Sequence, residues 1–323
     1  MRTESSLISR YYFSLIFAQL SLRFLASISL LASSLMRISP RTIRQASKVP
    51  LLKYFLAANR TLENAKQELK WVQQELPPQK WTWAAKRRSR LVPLQYILGS
   101  QPFGELTILC KENVLIPRWE TEEWVGHLLN ILEKNSKSLK VVDVCTGTGC
   151  IPLAIKHKRP QDEVCGIDVS ETAIELCKEN LALYSRDFGV SSTISFLVGN
   201  VFQKHPSSLY KVDLLTANPP YIPREEYNSP VALNGVSKSV KKYEPQLALI
   251  GDLEFYDALI SNYVVPLEVE AFVFEVGDEK QVKHVQQKLQ GVYNCGSVYD
   301  SQGKIRCVAG WKNDQLSLDA MCS

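Results

Sequence analysis

From residue 140 to the end of the chain, short apolar runs alternate with segments of helical periodicity. The apolar runs predict buried strands, at residues 141–144, 164–169, 193–198, 212–217, 271–276, 296–299 and 304–311. The segments between them predict helices, at residues 151–158, 171–184, 255–265 and 279–289. Regular alternation of this kind predicts an α/β fold, with a parallel sheet between two layers of helices.

Helical periodicity also dominates an earlier part of the chain. Apolar residues recur at helical spacing over residues 50–76, where Pro77 and Pro78 end the pattern, and again over residues 81–90. These two segments predict a small helical N-terminal domain.

The next segment consists of short apolar runs separated by Gly99, Gly104 and Asn113, which favour turns and predict a β-hairpin linker. Residues 120–134 then predict an amphipathic helix with acidic residues in its first turn, where the helix dipole favours them. We therefore assign a helical domain, a hairpin linker and an α/β domain to residues 45–92, 93–117 and 118–323.

The N-terminal end differs in charge from the rest of the chain. Residues 1–62 hold nine basic side chains and one acidic side chain, a net charge of +8, so the remainder carries −3 of the overall +5. A slightly negative body argues against direct nucleic-acid binding. The first forty-odd residues are rich in Arg, Ser and Leu, the composition of a mitochondrial targeting peptide. We expect residues 1–44 to be a presequence and the protein to act in the mitochondrial matrix.

A membrane anchor or a secretory signal is the alternative interpretation of this N-terminal segment. The apolar run over residues 11–36 is long enough to cross a bilayer. However, Arg23 lies in its middle, and a central arginine costs roughly 2.5–3.5 kcal/mol on insertion scales. We therefore expect no membrane anchor.

The eight cysteines form no CxxC pair, and no Cys/His cluster has the spacing of zinc ligands. We expect reduced, mostly buried thiols and no metal site.

A glycine-rich turn, DVCTGTGC at residues 143–150, follows the first predicted strand of the α/β domain. Gly147 and Gly149 allow the backbone to approach a ligand closely, and the next helix offers unpaired N–H groups at its start. A dinucleotide site is one interpretation, although the segment matches neither GxGxxG nor a Walker A loop. A strand–helix turn that binds no ligand is another.

Asp168 ends the second predicted strand, roughly 20 residues beyond these glycines, where a carboxylate can bind both ribose hydroxyls of a nucleoside. A helix N-cap is the alternative role for this aspartate. Carboxylates such as Asp143 and Asp168 repel phosphates and favour a cationic ligand. S-adenosylmethionine, with its sulfonium and ammonium groups, fits this chemistry.

The sequence Asn218-Pro219-Pro220-Tyr221 follows the apolar strand VDLLTA and therefore lies at a strand's carboxyl end. Two prolines stiffen the backbone there. The Pro219 carbonyl and the Asn218 side-chain oxygen can then accept the two N–H bonds of a planar NH2 group, while Tyr221 stacks on its face. A turn without function is the alternative.

With these motifs, the sequence resembles the mitochondrial type of the PrmC/HemK family of release factor glutamine-N5 methyltransferases. The resemblance runs from about residue 91 to residue 310 and includes, in family order, PLQYILG, LIPRWETE, DVCTGTGCIPLAI, GIDVSETAI, ANPPYIP, KKYEPQLAL, FEVG and DSQGKIRCV. It implies a Rossmann-like, seven-stranded class I methyltransferase domain that uses S-adenosylmethionine. It departs from the family pattern at Cys145, Trp119 and Asn200, where Gly, Pro and Asp are usual.

The resemblance also implies a role for each matching position. The cofactor-binding residues would be Asp143, Thr146, Gly147, Thr148, Gly149, Asp168, Asn200, Val201 and Asn218. The catalytic and substrate-binding residues would be Asn218, Pro219, Pro220 and Tyr221. The residues that help to close the site would be Arg118, Glu120, Thr121 and Glu122.

The expected reaction is methyl transfer to the side-chain amide of the glutamine in the Gly-Gly-Gln motif of a class I mitochondrial peptide chain release factor. One alternative is an N6-adenine methyltransferase acting on DNA or RNA, which would use the same Asn-Pro-Pro-Tyr chemistry on a flipped base. A further alternative is an assembly factor that binds the cofactor without turnover.

Overall fold

The computed structural model describes residues 38–184, 188, 193–231, 235–313 and 316–322. The chain forms two compact units that divide after Leu91. The predicted presequence, residues 1–44, lies outside the described residues as far as residue 37.

The first unit is helical, as the periodicity predicted. Its helices are α1, α2, α3 and α4, at Pro40–Ser47, Leu52–Asn59, Leu62–Glu75 and Trp81–Ser89. Helix α1 begins within the segment predicted as a presequence, with Ser39 as its N-cap and Ala46 buried. The helical unit is therefore already folded before residue 45.

The single helical pattern predicted over residues 50–76 is two helices in the structure. Arg60 ends α2 in the left-handed conformation, with φ of 66°, and Thr61 caps the start of α3 by accepting a hydrogen bond from the Asn64 N–H. The apolar spacing continues from α2 into α3 because each helix buries one apolar face. The spacing alone therefore does not reveal the break between the two helices.

The second unit begins with a short helix, α5 (Leu94–Leu98), where the sequence predicted only a hairpin. An antiparallel hairpin of β1 (Ser100–Phe103) and β2 (Leu106–Leu109) follows, and its turn contains Gly104 at a positive φ of 57°. The hairpin thus occupies less of residues 93–117 than predicted. Helix α6 (Trp119–Leu132) leads into the main sheet.

Strands and helices alternate through the rest of this unit. In chain order they are β3 (Lys140–Val144), α7 (Cys150–Lys158), β4 (Glu163–Asp168), α8 (Glu171–Tyr184), β5 (Ile194–Val198), β6 (Leu214–Ala217), α9 (Arg224–Asn228), α10 (Lys238–Tyr243), α11 (Leu253–Leu259), β7 (Ala271–Glu275), α12 (Glu279–Lys288), β8 (Asn294–Tyr299) and β9 (Ile305–Trp311). A π-helical turn, Ile260–Val264, extends α11.

The seven main strands form one sheet in the order β5-β4-β3-β6-β7-β9-β8. Strands β3 to β7 pair in parallel, whereas β9 pairs antiparallel with both β7 and β8. The predicted parallel sheet therefore contains one reversed strand, at this edge. The β8–β9 connection is a short turn rather than a helical crossover, and a short turn can join only antiparallel strands.

Alternate residues of each central strand pack on opposite faces of the sheet. Val141 faces a core shared with α6, α7 and α8, whereas Val142 faces a core shared with α11 and α12. Burial on both faces explains why the central strands read as continuous apolar runs. The seven-stranded α/β fold predicted for this domain is confirmed.

All eight cysteines are free thiols, and five of them are buried. In the described part of the chain, no helix has the length and hydrophobicity needed to cross a membrane, and no group of His, Cys, Asp and Glu side chains has a metal-binding arrangement.

Candidate functional site

The carboxyl ends of parallel strands bring the candidate residues to one edge of the sheet. Ala217 of β6 pairs with Val144 of β3 on one side and with Phe274 of β7 on the other, and Val144 pairs with Ile167 of β4. The groups that end or follow these strands therefore lie side by side, namely the glycine-rich turn, Asp168, Asn218 and Glu275.

A cavity of about 1180 Å³, including its open mouth, lies at this edge. The strand order reverses between β3 and β6, and open α/β sheets bind ligands at such a point. Ten of the predicted site residues line the cavity: Arg118, Thr121, Thr146, Gly147, Thr148, Asp168, Asn200, Val201, Asn218 and Pro220. Six others are not part of its lining: Glu120, Glu122, Asp143, Gly149, Pro219 and Tyr221.

The two glycines of the turn have different roles. Gly147 lines the cavity with φ of 55°, and a Cβ added there would meet no atom within 4 Å. Gly149 precedes α7 with φ of 78°, and its added Cβ would lie 3.0 Å from Cys177 Sγ. Gly147 therefore leaves open space for a ligand, whereas Gly149 allows the helix to pack against the core.

Asp168 holds the glycine-rich turn and lines the cavity at the same time. Its Oδ2 accepts a hydrogen bond of 2.9 Å from the Gly147 N–H, and its Oδ1 accepts one of 2.9 Å from the Ser170 N–H. Burial raises the pKa of Asp168, and these backbone N–H groups oppose the rise. Each oxygen keeps a lone pair that can accept a hydroxyl of a ligand.

Asp143, predicted to bind the cofactor, lies beneath the turn instead. Its side chain is fully buried, with Oδ1 accepting a 2.7 Å hydrogen bond from the Thr216 hydroxyl. Oδ2 has no hydrogen-bond partner among the described residues. Burial raises the pKa of Asp143 to about 7, although the Thr216 hydroxyl opposes the rise.

This raised pKa predicts a pH-dependent cost to folding. Above about pH 4 the unfolded chain carries an ionised Asp143, whereas the folded chain keeps it protonated until about pH 7. The wild type therefore loses stability as the pH rises through this window. We expect the Asp143→Asn variant to gain about 2–3 kcal/mol over the wild type between pH 5 and pH 8. Urea unfolding of both proteins measures this difference, and parallel pH profiles would contradict it.

The cavity wall beyond Asp168 is partly aromatic. Val201 lines it, and the Val201 carbonyl accepts a 2.9 Å hydrogen bond from Asn262 Nδ2 in the π-helical turn. Phe202 and Phe255 also line it and pack edge to face, with ring centroids 4.8 Å apart. Asn200 Oδ1 accepts a hydrogen bond from the Phe202 N–H. This wall is suited to a flat purine.

Asn218 follows β6 and is held through its side-chain nitrogen. Its Nδ2 donates a 3.2 Å hydrogen bond to Thr121 Oγ1, and the Thr121 hydroxyl donates a 2.7 Å hydrogen bond to Glu275 Oε2. Tyr221 is fixed at two points, because its hydroxyl donates to Glu275 Oε1 and its carbonyl accepts from Gln281 Nε2. The Tyr221 hydroxyl thus binds within the protein rather than in the cavity.

Two segments of the cavity wall are joined by an ion pair. Arg118 Nη2 lies 2.8 Å from both carboxylate oxygens of Glu244, and Glu244 Oε2 also accepts from the Ile116 N–H. The other acidic residues predicted here have different contacts. Glu120 pairs with Arg306, and Glu122 accepts from the Gly104 N–H in the β1–β2 turn. Among the predicted closing residues, only Arg118 and Thr121 reach the cavity.

The cavity chemistry fits S-adenosylmethionine. Of the described residues that line it, Arg118 is the only cation, and Glu244 neutralises it. The Asp168 carboxylate faces a space bordered by Gly147, so a ligand with hydroxyls and positive charge is favoured over one with phosphates.

Several residues of this site were not predicted from the sequence, namely Glu244, Phe202, Phe255, Thr216 and Glu275. Glu244 and Glu275 carry a signal that could have been used. Each belongs to a motif of the family resemblance, and each is an acidic residue that the fold buries. The aromatic pair gave no such signal, because it depends on contact between segments far apart in sequence.

Comparison with known proteins gives matches along most of the chain. Residues 125–250 match the family model described as "Methyltransferase small domain". A Saccharomyces cerevisiae protein named "Mitochondrial MRF1 N(5)-glutamine methyltransferase MTQ1" is 43% identical over 289 residues, which cover 85% of this chain and 89% of that protein.

Two further relatives have similar names. A Schizosaccharomyces pombe protein, "Probable MRF1 mitochondrial N(5)-glutamine methyltransferase mtq1", is 37% identical over 73% of this chain and 84% of its own length. A Bacillus cereus protein, "Release factor glutamine methyltransferase", is 29% identical over 80% of this chain and 89% of its own length.

Proposed function

The chain belongs to the release factor glutamine N5-methyltransferase family, and from this premise we propose that it methylates the Gly-Gly-Gln glutamine of a class I mitochondrial release factor. The enzyme is an S-adenosylmethionine-dependent protein-glutamine N5-methyltransferase, and its substrate is a release factor. The observation that carries the proposal is the orientation of Asn218. Its nitrogen is hydrogen-bonded inside the protein, which leaves its oxygen available at the edge of the cavity.

The residues that would hold the cofactor divide by chemistry. Asp168 would bind the ribose hydroxyls, the backbone of residues 146–148 would hold the methionine part, and Val201 with Phe202 would border the adenine. When bound, S-adenosylmethionine supplies an electrophilic methyl group on a positively charged sulfur. Asp143, which is buried beneath the turn, would not contact the cofactor directly.

Orientation is the main task of the residues that meet the substrate. An amide nitrogen is a weak nucleophile because its lone pair is delocalised into the carbonyl. Asn218 Oδ1 would accept one N–H of the glutamine amide, and the carbonyl of Pro219, which lies between two lining residues, would accept the other, so that the nitrogen is held in a fixed position. Two rigid acceptors of this kind favour the reaction by orientation and by electrostatic stabilisation of charge that develops on the nitrogen.

The composition of the N-terminal segment and the names of the two yeast relatives both support a mitochondrial location. The arginine-rich, acid-poor composition of residues 1–44 supports import, and we place the protein in the matrix. Residues 38–91 hold twelve basic and three acidic side chains, a net charge of +9, and expose Trp71 and Trp83. A basic unit favours an acidic partner, and because the names of the relatives specify a release factor, we assign release factor binding to this unit.

The adenine alternative uses the same acceptor pair on a different NH2 group. The names of the relatives favour glutamine, because all three specify glutamine methylation. The alternative makes a different prediction, namely transfer of label to DNA or RNA.

One experiment tests the proposed substrate. The purified protein is incubated with methyl-labelled S-adenosylmethionine and with either the mitochondrial release factor, its Gln→Asn variant in the Gly-Gly-Gln motif, or adenine-containing DNA and RNA. We expect label only in the unmodified release factor, on the side-chain nitrogen of that glutamine by mass spectrometry. Equal labelling of the Gln→Asn variant, or labelling of nucleic acid, would overturn the proposal.

A further inference from the structure

Glu275, the last residue of β7, carries a buried carboxylate whose hydrogen-bond partners are all uncharged. Its Oε2 accepts from the Thr121 hydroxyl at 2.7 Å and from the Trp124 indole N–H at 2.8 Å, and its Oε1 accepts from the Tyr221 hydroxyl at 3.1 Å. No ion pair to Glu275 occurs within the described residues. Burying a carboxylate without a cation is costly, and such costs concentrate at functional sites.

Asn218, Thr121 and Glu275 form a chain of hydrogen bonds in which each donor is fixed: Asn218 donates to Thr121, and Thr121 donates to Glu275. As a carboxylate, Glu275 has no proton to donate, so the Oε2 that accepts from the Trp124 indole N–H also accepts from the Thr121 hydroxyl. The Thr121 proton is therefore committed to Glu275, and the Thr121 oxygen can only accept from Asn218. The Asn218 atom that faces Thr121 must then be its nitrogen, because a carboxamide oxygen has no proton to donate.

We propose that Glu275 is a positioning residue that sets the orientation of the Asn218 carboxamide through Thr121, so that Oδ1 faces the substrate amide. This inference rests on the proposed function and assigns to Thr121 a role other than closing the site. Without the relay, the Asn218 carboxamide can rotate by 180° about its last bond and present its NH2 group. Two NH2 groups facing each other repel, and the substrate nitrogen loses its acceptor.

The same carboxylate holds the other end of the Asn-Pro-Pro-Tyr segment. Tyr221 donates to Glu275 Oε1, so Glu275 connects to this segment directly at Tyr221 and through Thr121 at Asn218. Trp124, from helix α6, donates to the same Glu275 oxygen as Thr121 does. One buried side chain therefore sets both polar groups of the segment, while the two prolines fix the backbone between them.

Substitutions of Thr121 separate the relay from simple packing. Thr121→Val removes the hydroxyl at nearly constant volume, and we expect it to lower kcat for release factor methylation by about 100-fold. Binding of S-adenosylhomocysteine, measured by calorimetry, should change less than about threefold. Thr121→Ser keeps the hydroxyl and should recover most of the lost kcat. Thr172→Val, at an exposed position on α8, is the matched control and should behave as the wild type.

Substitutions of Glu275 separate hydrogen-bond direction from charge. In Glu275→Gln, the donor-only indole of Trp124 keeps the amide oxygen on the Thr121 side, so the relay survives and kcat should fall less than about tenfold. Glu275→Met removes the acceptor and should lower kcat as far as Thr121→Val does. Thermal unfolding of each variant reports whether the fold is intact.

The outcomes of these experiments distinguish the inference from the function on which it rests. Wild-type kcat in Thr121→Val, or an equal loss in Glu275→Gln and Glu275→Met, would overturn the relay. A wild type that does not methylate the release factor would overturn the proposed function instead. The 15N side-chain amide signal of Asn218 then still decides the orientation: the relay predicts that Thr121→Val shifts it and that Thr172→Val does not.

Discussion

Replacing Asn218 with alanine is expected to lower the rate of methyl transfer by about 10²–10³-fold, the loss typical of removing one preorganised polar group from an active site. The variant removes Oδ1, the acceptor that the Thr121 hydrogen bond leaves free at the cavity edge. It leaves Asp168 and the glycine-rich turn in place. The affinity for S-adenosylhomocysteine should therefore change much less than the rate.

Single-turnover kinetics with labelled cofactor and the release factor measure this rate without interference from product release. Asn228→Ala provides a matched control, because Asn228 is exposed on α9 and takes no part in the cavity lining. A near-normal rate for Asn218→Ala, with the cofactor still bound, would refute the assigned role of the Asn218 oxygen.

Replacing Asp168 with alanine should have the opposite profile, a large loss of cofactor affinity. The carboxylate would accept two ribose hydroxyls, and hydrogen bonds to a charged group are each worth about 1.5–3 kcal/mol. A loss of about 3 kcal/mol corresponds to a dissociation constant that is roughly 100-fold higher. The substitution also frees the Gly147 and Ser170 N–H groups, so the turn that borders the ligand loses its anchor.

Calorimetric titration with S-adenosylhomocysteine measures the Asp168→Ala affinity directly. Glu171→Ala is the matched control, because Glu171 is a nearby carboxylate that is exposed at the start of α8. The control should bind as the wild type does. If Asp168→Ala bound the ligand normally, the helix-capping interpretation of Asp168 would be preferred over ribose binding.

The two variants together separate binding from chemistry at two strand ends of the same sheet edge. Asp168 ends β4 and Asn218 follows β6, with β3 between them in the sheet. We expect Asp168→Ala mainly to weaken cofactor binding and Asn218→Ala mainly to slow methyl transfer. This is the pattern expected if the cavity holds a cofactor on one side and a target amide on the other.

The order of elements in the α/β domain could be read from the sequence because each strand and helix depends on neighbouring residues. Helix α8 begins and ends where the periodicity placed it, at Glu171 and Tyr184. The reversed direction of β9 follows from the short turn before it rather than from its own apolar pattern.

Candidate site residues could be predicted from the sequence where residue type and short-range spacing are sufficient to identify them. Glycines after a strand, an aspartate at a strand end and two prolines beside an asparagine each identify themselves by type and spacing. Eight of the ten predicted residues that line the cavity end or follow strands, and they come together because the carboxyl ends of parallel strands meet at one edge of the sheet. Asp143 and Gly149 belong to the same glycine-rich motif but face the interior. Only the packing of the folded chain determines which residues of the motif line the cavity.

The sequence by itself determined the fold class, the glycine-rich turn and the rigid Asn-Pro-Pro-Tyr segment, since these follow from periodicity and from the backbone limits of glycine and proline. The tertiary structure alone decided which atom of Asn218 is available. That choice depends on Thr121, 97 residues before Asn218, and on Glu275, which is 154 residues from Thr121. Hydrogen-bond direction is a property of groups in contact, and contacts at such separations exist only after the strands have paired.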